Sequence, residues 1–249
     1  MIVCLATAAC LLAPASAGAW AARPPVSLVA SPARVAFAGA GRQLVTVTSW
    51  GSEPVLVEVG KAGYVLDLRG RPRVARARGS WVSVRPRRVA IAPGESASLV
   101  VVSSPPARAE PGDHSELVLL TTRPLRKAAL AVRMRLGVVI VVRVPGRIVR
   151  RLDVLRLRVR LRRFELLVAN RSNVTETIAR TCATVTVRRK GHVIARLHPA
   201  ERRLLPHTTG LLEVPYRRPA RGRVRVAVDL APGLPCGIPR RRAFTLRLR

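Results

Sequence analysis

The chain has 249 residues, 49% of them hydrophobic and 3% aromatic, and a formal net charge of +32. That length accommodates one large domain or two of ordinary size, with enough apolar residues for packed cores built mostly from Val, Leu, Ala and Ile. Only Lys61, Lys127 and Lys190 among the 45 basic residues are lysines, and the arginines are spread along the chain; this argues against a basic nucleic-acid-binding arm and matches the coding bias of a GC-rich genome. Charge of this size still predicts salt-dependent adhesion to anionic polymers.

Residues 1–22 carry no charge. Ile2–Pro14 has the length of a signal-peptide apolar region, and Ala15-Ser16-Ala17 and Ala17-Gly18-Ala19 are small-x-small cleavage patterns. Residues 1–19 therefore read as a secretory signal peptide, with an uncleaved N-terminal membrane anchor as the alternative. Cleavage removes Cys4 and Cys10 and leaves Cys182 and Cys236, an even pair expected to form one disulfide in an exported protein. Two cysteines without C-x-x-C spacing do not make a structural zinc site, and no metal or cofactor is expected.

Strand-like runs follow at Val26–Phe37, Leu44–Ser49, Val55–Val59, Tyr64–Leu68, Val82–Val84, Ser98–Ser103, Glu116–Thr122, Ala131–Arg135 and Val138–Val144. Pro93-Gly94, Pro111-Gly112 and Pro145-Gly146 punctuate them, proline presetting φ and glycine supplying positive φ. Arg147–Arg151 is basic and has no hydrophobic period. Beyond it, apolar residues and arginines alternate from Leu155 to Arg162, the period of a half-buried strand with Leu155, Leu157 and Leu161 inward. Further runs lie at Ala183–Arg188, Val193–Leu197, Thr209–Pro215, Arg223–Leu230 and Phe244–Leu248, with hairpin turn chemistry at Asn170–Asn173 and Lys190-Gly191. Short strands with turn signals about every 8–12 residues predict an all-β protein of two tandem immunoglobulin-like antiparallel sandwiches. The expected division is a signal peptide over 1–19, sandwiches over 24–146 and 153–249, and a linker over 147–152.

The chain lacks a zincin helix motif, a nucleophile elbow, a P-loop and a dinucleotide fingerprint. His114, His192, His198 and His207, and the acids Glu110, Asp113 and Glu116, read as solvated loop residues, so catalysis is not expected. Two groups are candidate binding residues. Arg156, Arg158, Arg160 and Arg162 would place four guanidinium groups on one strand face about 6.6 Å apart, able to dock successive phosphates or carboxylates of a polymer. Trp50, at a turn before Gly51, is a candidate sugar-stacking platform, whereas Trp81 begins a strand and reads as a core plug. Asn170-Arg171-Ser172 and Asn173-Val174-Thr175 match glycosylation sequons but read as turn residues in a bacterial chain.

Ser31–Phe37, Trp81–Val84 leading into Ile91–Glu95, Pro111–His114 and Arg135–Gly146 together resemble the immunoglobulin-like domain of the WxL-interacting cell-surface proteins of Gram-positive bacteria. Asn170–Ala195 looks like that family's second sandwich. The resemblance implies an exported, non-catalytic protein of the cell envelope that binds peptidoglycan or an anionic wall polymer, or another surface protein. The same layout is similar to the periplasmic pilus chaperones, which anchor a subunit's C-terminal carboxylate with an arginine on the first strand and a lysine on the last. Arg34 falls at the arginine position, while Val138–Val144 offers Ile140 and no lysine. This second resemblance implies an assembly chaperone that works by strand addition.

Overall fold

The computed structural model describes residues 23–77, 80–125, 132–160, 162–217, 221–233 and 235–248. The signal-peptide reading of residues 1–19 lies outside them, as does Leu161. Among the described residues the only helical element is one 3-10 turn, Arg180–Cys182, and no helix is long and apolar enough to cross a membrane.

The first ten strands are β1 (Leu28–Ser31), β2 (Arg34–Ala38), β3 (Gly41–Ser49), β4 (Val55–Leu66), β5 (Pro72–Ala75), β6 (Val82–Arg85), β7 (Arg88–Ile91), β8 (Ser96–Ser103), β9 (Gly112–Pro124) and β10 (Arg135–Val144). They form two sheets, β1-β3-β8-β6 and β2-β10-β9-β4-β5, with β7 added to β4. Alternation sends Val35, Phe37, Val45, Val47, Leu99, Val101, Leu120, Ile140 and Val142 into the space between them, where each is at most 5% exposed. β-branched residues dominate this core because they pack well on a pleated, half-buried surface. Trp81 packs against the core only partly buried.

The run expected as one strand, Val26–Phe37, is two. Pro32 has no N–H to continue a ladder, and the chain changes sheet around it. β1 pairs antiparallel with β3, whereas β2 pairs parallel with β10, Arg34 opposite Val139 and Arg143 opposite Ala38. This parallel pair corrects the expectation of purely antiparallel sheets. Conversely, Val55–Val59 and the start of Tyr64–Leu68 fuse into the single strand β4, which pairs with β9 from Val55 to Gly63 and with β5 from Gly63 to Leu66.

The second set comprises β11 (Leu152–Arg160), β12 (Arg163–Asn170), β13 (Glu176–Ile178), β14 (Ala183–Arg189), β15 (His192–Leu197), β16 (Arg202–Leu204), β17 (Thr209–Pro215), β18 (Gly222–Leu230) and β19 (Arg240–Leu248). Its sheets are β11-β12-β17, β13-β16 and β15-β14-β18-β19. Phe164, Leu166, Val185, Val187, Leu212, Val214 and Val226 fill its core, with Tyr216 stacked on Phe164 at 4.9 Å. Asn170–Asn173 does not turn a hairpin: β12 leads to β13, which pairs with the distant β16. Among the described residues no strand ladder joins the two sets. Leu152, expected in the connector, begins β11 and is 1% exposed. The fold is thus two immunoglobulin-type β-sandwiches in tandem.

Candidate functional site

Among the described residues, the C-terminal half of β10 is paired on both sides and its N-terminal end on one side only. From Val139 to Arg143 the strand has β9 on one side and β2 on the other, but over Arg135–Val138 its ladder partner among the described residues is β9 alone. The side chains leading into this open edge alternate. Val132, Met134 and Leu136 are half-buried and pack against the first core, while Arg133 and Arg135 are exposed. The same face continues into the fully buried Val138, Ile140 and Val142. Unpaired backbone groups beside an incompletely covered apolar row are what an added strand completes, the backbone supplying hydrogen bonds and the row supplying pockets.

Arg34 stands where this edge closes, opposite Val139. Its neighbours in the ladder, Val35 and Phe37, point into the core, so Arg34 faces outward from the same sheet. Partial burial, and after it the charge of Arg203, hold its guanidinium below its usual pKa, against the opposing influence of Tyr64 and Asp113. Arg203 belongs to β16, in the second sandwich. Two arginines of different sandwiches therefore share one electrostatic neighbourhood. Ile140 is inward and fully buried, so β10 offers no cation there.

A cleft of about 570 Å³ lies between the sandwiches, lined by Tyr64, Trp81 and His114 from the first and by Asn173, Leu205 and His207 from the second. Its hinge is a polar lock around Asn173. The Asn173 amide donates to the carbonyls of Pro111 and Arg147, both at 2.9 Å, and its Oδ1 accepts from the Val149 N–H at 2.9 Å. Its carbonyl accepts from the Asp113 N–H at 2.8 Å. The Asp113 carboxylate takes two hydrogen bonds from Arg143, at 2.7 and 3.0 Å, and one from the Thr175 N–H at 2.8 Å. Burial alone would raise the Asp113 pKa, but the Arg143 hydrogen bonds, the Thr175 N–H and the Arg143 charge outweigh it and hold the carboxyl below its usual value. A second backbone bridge joins the sandwiches, the Leu211 N–H donating to the Leu68 carbonyl at 2.6 Å.

The loop-solvation reading of Asp113 is corrected by these contacts. His114 packs against Trp81 at 4.3 Å, and Glu116 accepts from Ser80 and from the Trp81 N–H. Neither is a free loop group. Sequon matches masked the two asparagines: Asn170 is fully buried, donating to the carbonyls of Val174, Leu204 and Leu205, and Asn173 is the hinge. The turn chemistry of Asn was visible in the sequence, but its partners lie up to 62 positions away.

The arginine series on β11 does not form as expected. A bulge between Val154 and Arg156 makes Leu155 the extra residue, 37% exposed and not inward. Arg156, Arg158 and Arg160 share the outer face, but Arg162 lies in the turn after the strand. Acids interrupt the row: Glu165 lies 3.8 Å from Arg160 and 3.3 Å from Arg163, and Glu213 lies 3.8 Å from Arg163. Trp50 is 53% exposed at the end of β3, its N–H bonded to the Ser27 carbonyl, without a second aromatic beside it in the described ring contacts. Cys182 and Cys236 form the expected disulfide, with Cα atoms 5.2 Å apart. Among the described residues no group of three or more His, Cys, Asp or Glu is placed to hold a metal ion.

No family model and no curated protein matches the chain. Solved structures do. The class 5 fimbriae chaperone CfaA superposes with a TM-score of 0.54 at 11% identity, over 89% of this chain and 98% of that one. A chaperone–tip adhesin complex of CFA/I fimbriae biogenesis gives 0.54 and 11%, over 89% and 98%. The YadV chaperone gives 0.50 and 12%, over 87% and 99%. At these identities the likeness is one of fold, a tandem pair of immunoglobulin-type β-sandwiches.

Proposed function

We propose that the chain is a non-catalytic assembly chaperone of the cell envelope that holds an extended segment of another exported protein by strand addition at β10. The observation that carries this reading is the edge over Arg135–Val138, paired on one side among the described residues, with half-buried Leu136 on it and Val132 and Met134 leading into it. Arg34, at the closed end of that edge, would anchor the segment's terminal carboxylate. The disulfide supports an oxidising compartment. The fold likeness to fimbrial chaperones favours this function over the peptidoglycan-binding one, whose supports have weakened: the β11 arginines are interleaved with Glu165 and Glu213, and among the described residues Trp50 makes no ring contact with another aromatic.

The test uses a synthetic peptide of alternating valine and threonine with a free C-terminal carboxylate, and the same peptide amidated. Binding should slow exchange of the β10 amides that face away from β9 between Arg135 and Val138. Arg34→Ala and amidation should each weaken binding, and the two together should weaken it no further, because both remove one charge pair. Exchange protection confined to other strands, or fully additive losses, would overturn the proposal.

A further inference from the structure

The outer face of the β15-β14-β18-β19 sheet has a charge pattern that folding alone does not explain. Alternation on β18 buries Val224, Val226 and Val228 and turns Arg223, Arg225, Ala227 and Asp229 outward. Their register partners extend the face: Arg225 is directly opposite Arg188 on one side, and Arg223 is directly opposite Arg247 on the other. Arg196, opposite Thr186, adds a further exposed cation. Like charges directly opposite one another on a sheet are destabilising. The acid of this face, Asp229, is engaged by Arg241 at 2.6 and 3.0 Å, at the end away from Arg223 and Arg247.

Compositional bias toward arginine does not account for this, because it acts on every face alike. The outer face of the β11-β12-β17 sheet is also arginine-rich, yet Glu165 and Glu213 sit among its arginines within 4 Å. Here the gaps between the cations are filled by Ala227, Ala243 and Thr245, small side chains that leave a shallow basin of about 760 Å³ with a cationic rim. We infer that this face docks on an anionic lipid bilayer, its guanidinium groups meeting the phosphodiester headgroups.

Three features favour a bilayer over a soluble polyanion. The cations form a two-dimensional array across four strands, which matches a plane of charges better than a single chain. Among the described residues no aromatic side chain points outward from the face (Phe244, opposite Val226, is directed to the core), so the stacking platforms of single-stranded nucleic-acid sites are missing there. At the edge strand β15, Val193 shares the register position of Arg188 and is 39% exposed, with the bulged Ile194 beside it at 42%. Apolar residues bordering a basic face gain from contact with the headgroup–acyl boundary and gain nothing from a soluble polyanion.

The experiment is co-sedimentation of the full chain with vesicles of phosphatidylcholine alone or mixed with phosphatidylglycerol in equal parts. Two charge-matched variants are compared: Arg223→Ser/Arg225→Ser/Arg247→Ser on the face, and Arg42→Ser/Arg85→Ser/Arg87→Ser on exposed positions of the first sandwich. Denaturation midpoints of both variants are checked first. The expected result is binding only to the mixed vesicles, weakened about tenfold or more by the first variant and little changed by the second. Val193→Ser/Ile194→Ser should weaken vesicle binding while leaving retention on heparin unchanged. Equal losses in the two arginine variants would mean that net charge alone binds. That outcome, no binding to mixed vesicles, or vesicle binding indifferent to Val193 and Ile194 would each overturn the inference. If the face variant fails to fold, Arg225→Ser alone decides the same comparison against Arg85→Ser.

Discussion

Glu176 has no exposure to water, yet all its acceptor capacity is used. Arg150 reaches both carboxylate oxygens at 3.0 and 3.1 Å, Ser172 donates at 3.1 Å and the Gly233 N–H at 2.7 Å. Removing the carboxylate strands those donors, so Glu176→Ala should lower unfolding free energy by about 3 kcal/mol in urea denaturation. Glu58, which pairs with Arg88 and Arg123 at the surface, should lose about 1 kcal/mol or less on the same change. Asp113 carries a pH signature. Its folded pKa lies below the ordinary 3.8, so its contribution to stability is complete above that value and disappears as pH falls through the folded one. The urea midpoint of the wild type should therefore fall more steeply below about pH 4 than that of Asp113→Asn, which has no carboxylate to protonate. Parallel curves would contradict this assignment. None of these roles was legible locally: a lone acid in a polar stretch looks solvated until its cation arrives from another strand.

Strands were the most legible elements, and their failures have specific causes. Period-two alternation identified the runs that became β3, β8, β14, β17 and β18, because each has one face in a core. β5, β13 and β16 span 4, 3 and 3 residues, too short for a period to register. The β11 bulge turned Leu155 outward, a shift of pairing that no sequence period reports. The disulfide joins the Arg180–Cys182 turn to the segment after β18 across 54 positions. Replacing both cysteines with serine should cost about 3–4 kcal/mol by freeing that loop in the unfolded chain. The destabilisation should appear in amide exchange of β14 and β18 and leave the amides of β3 and β8 unchanged, since the bridge staples one sandwich. Equal loosening of both sandwiches would show that they unfold as one unit.

Two glycines separate local from long-range demands across the whole molecule. Gly94 has φ +80 with open space where a Cβ would stand, whereas Gly112 has φ +125 and its Cβ would collide with the Asn173 carbonyl oxygen. Gly94→Ala should therefore cost only the left-handed backbone preference, about 1–2 kcal/mol. Gly112→Ala adds a steric collision with the second sandwich. It should increase the radius of gyration in small-angle scattering, because the collision is relieved by moving the sandwiches apart. An unchanged scattering curve with a larger loss of stability would mean that the hinge is rigid and strained instead. The Pro111-Gly112 pair was readable as a turn; that its glycine is needed for contact between sandwiches was not.

Composition, alternation and cysteine count by themselves determined that the chain is all-β, that it forms two sandwiches, and that Cys182 pairs with Cys236. These follow from local periodicity and from counting, which do not depend on where distant residues lie. The open edge of β10, the asparagine hinge and the unneutralised face of β18 were decided only in three dimensions. Each depends on which strand lies beside which: β2 stops covering β10 at Val139, Asn173 meets Pro111, and Arg223 is set opposite Arg247. Arginines that look alike in the sequence are set beside acids on one sheet and beside other arginines on another, and only the register tells the two apart.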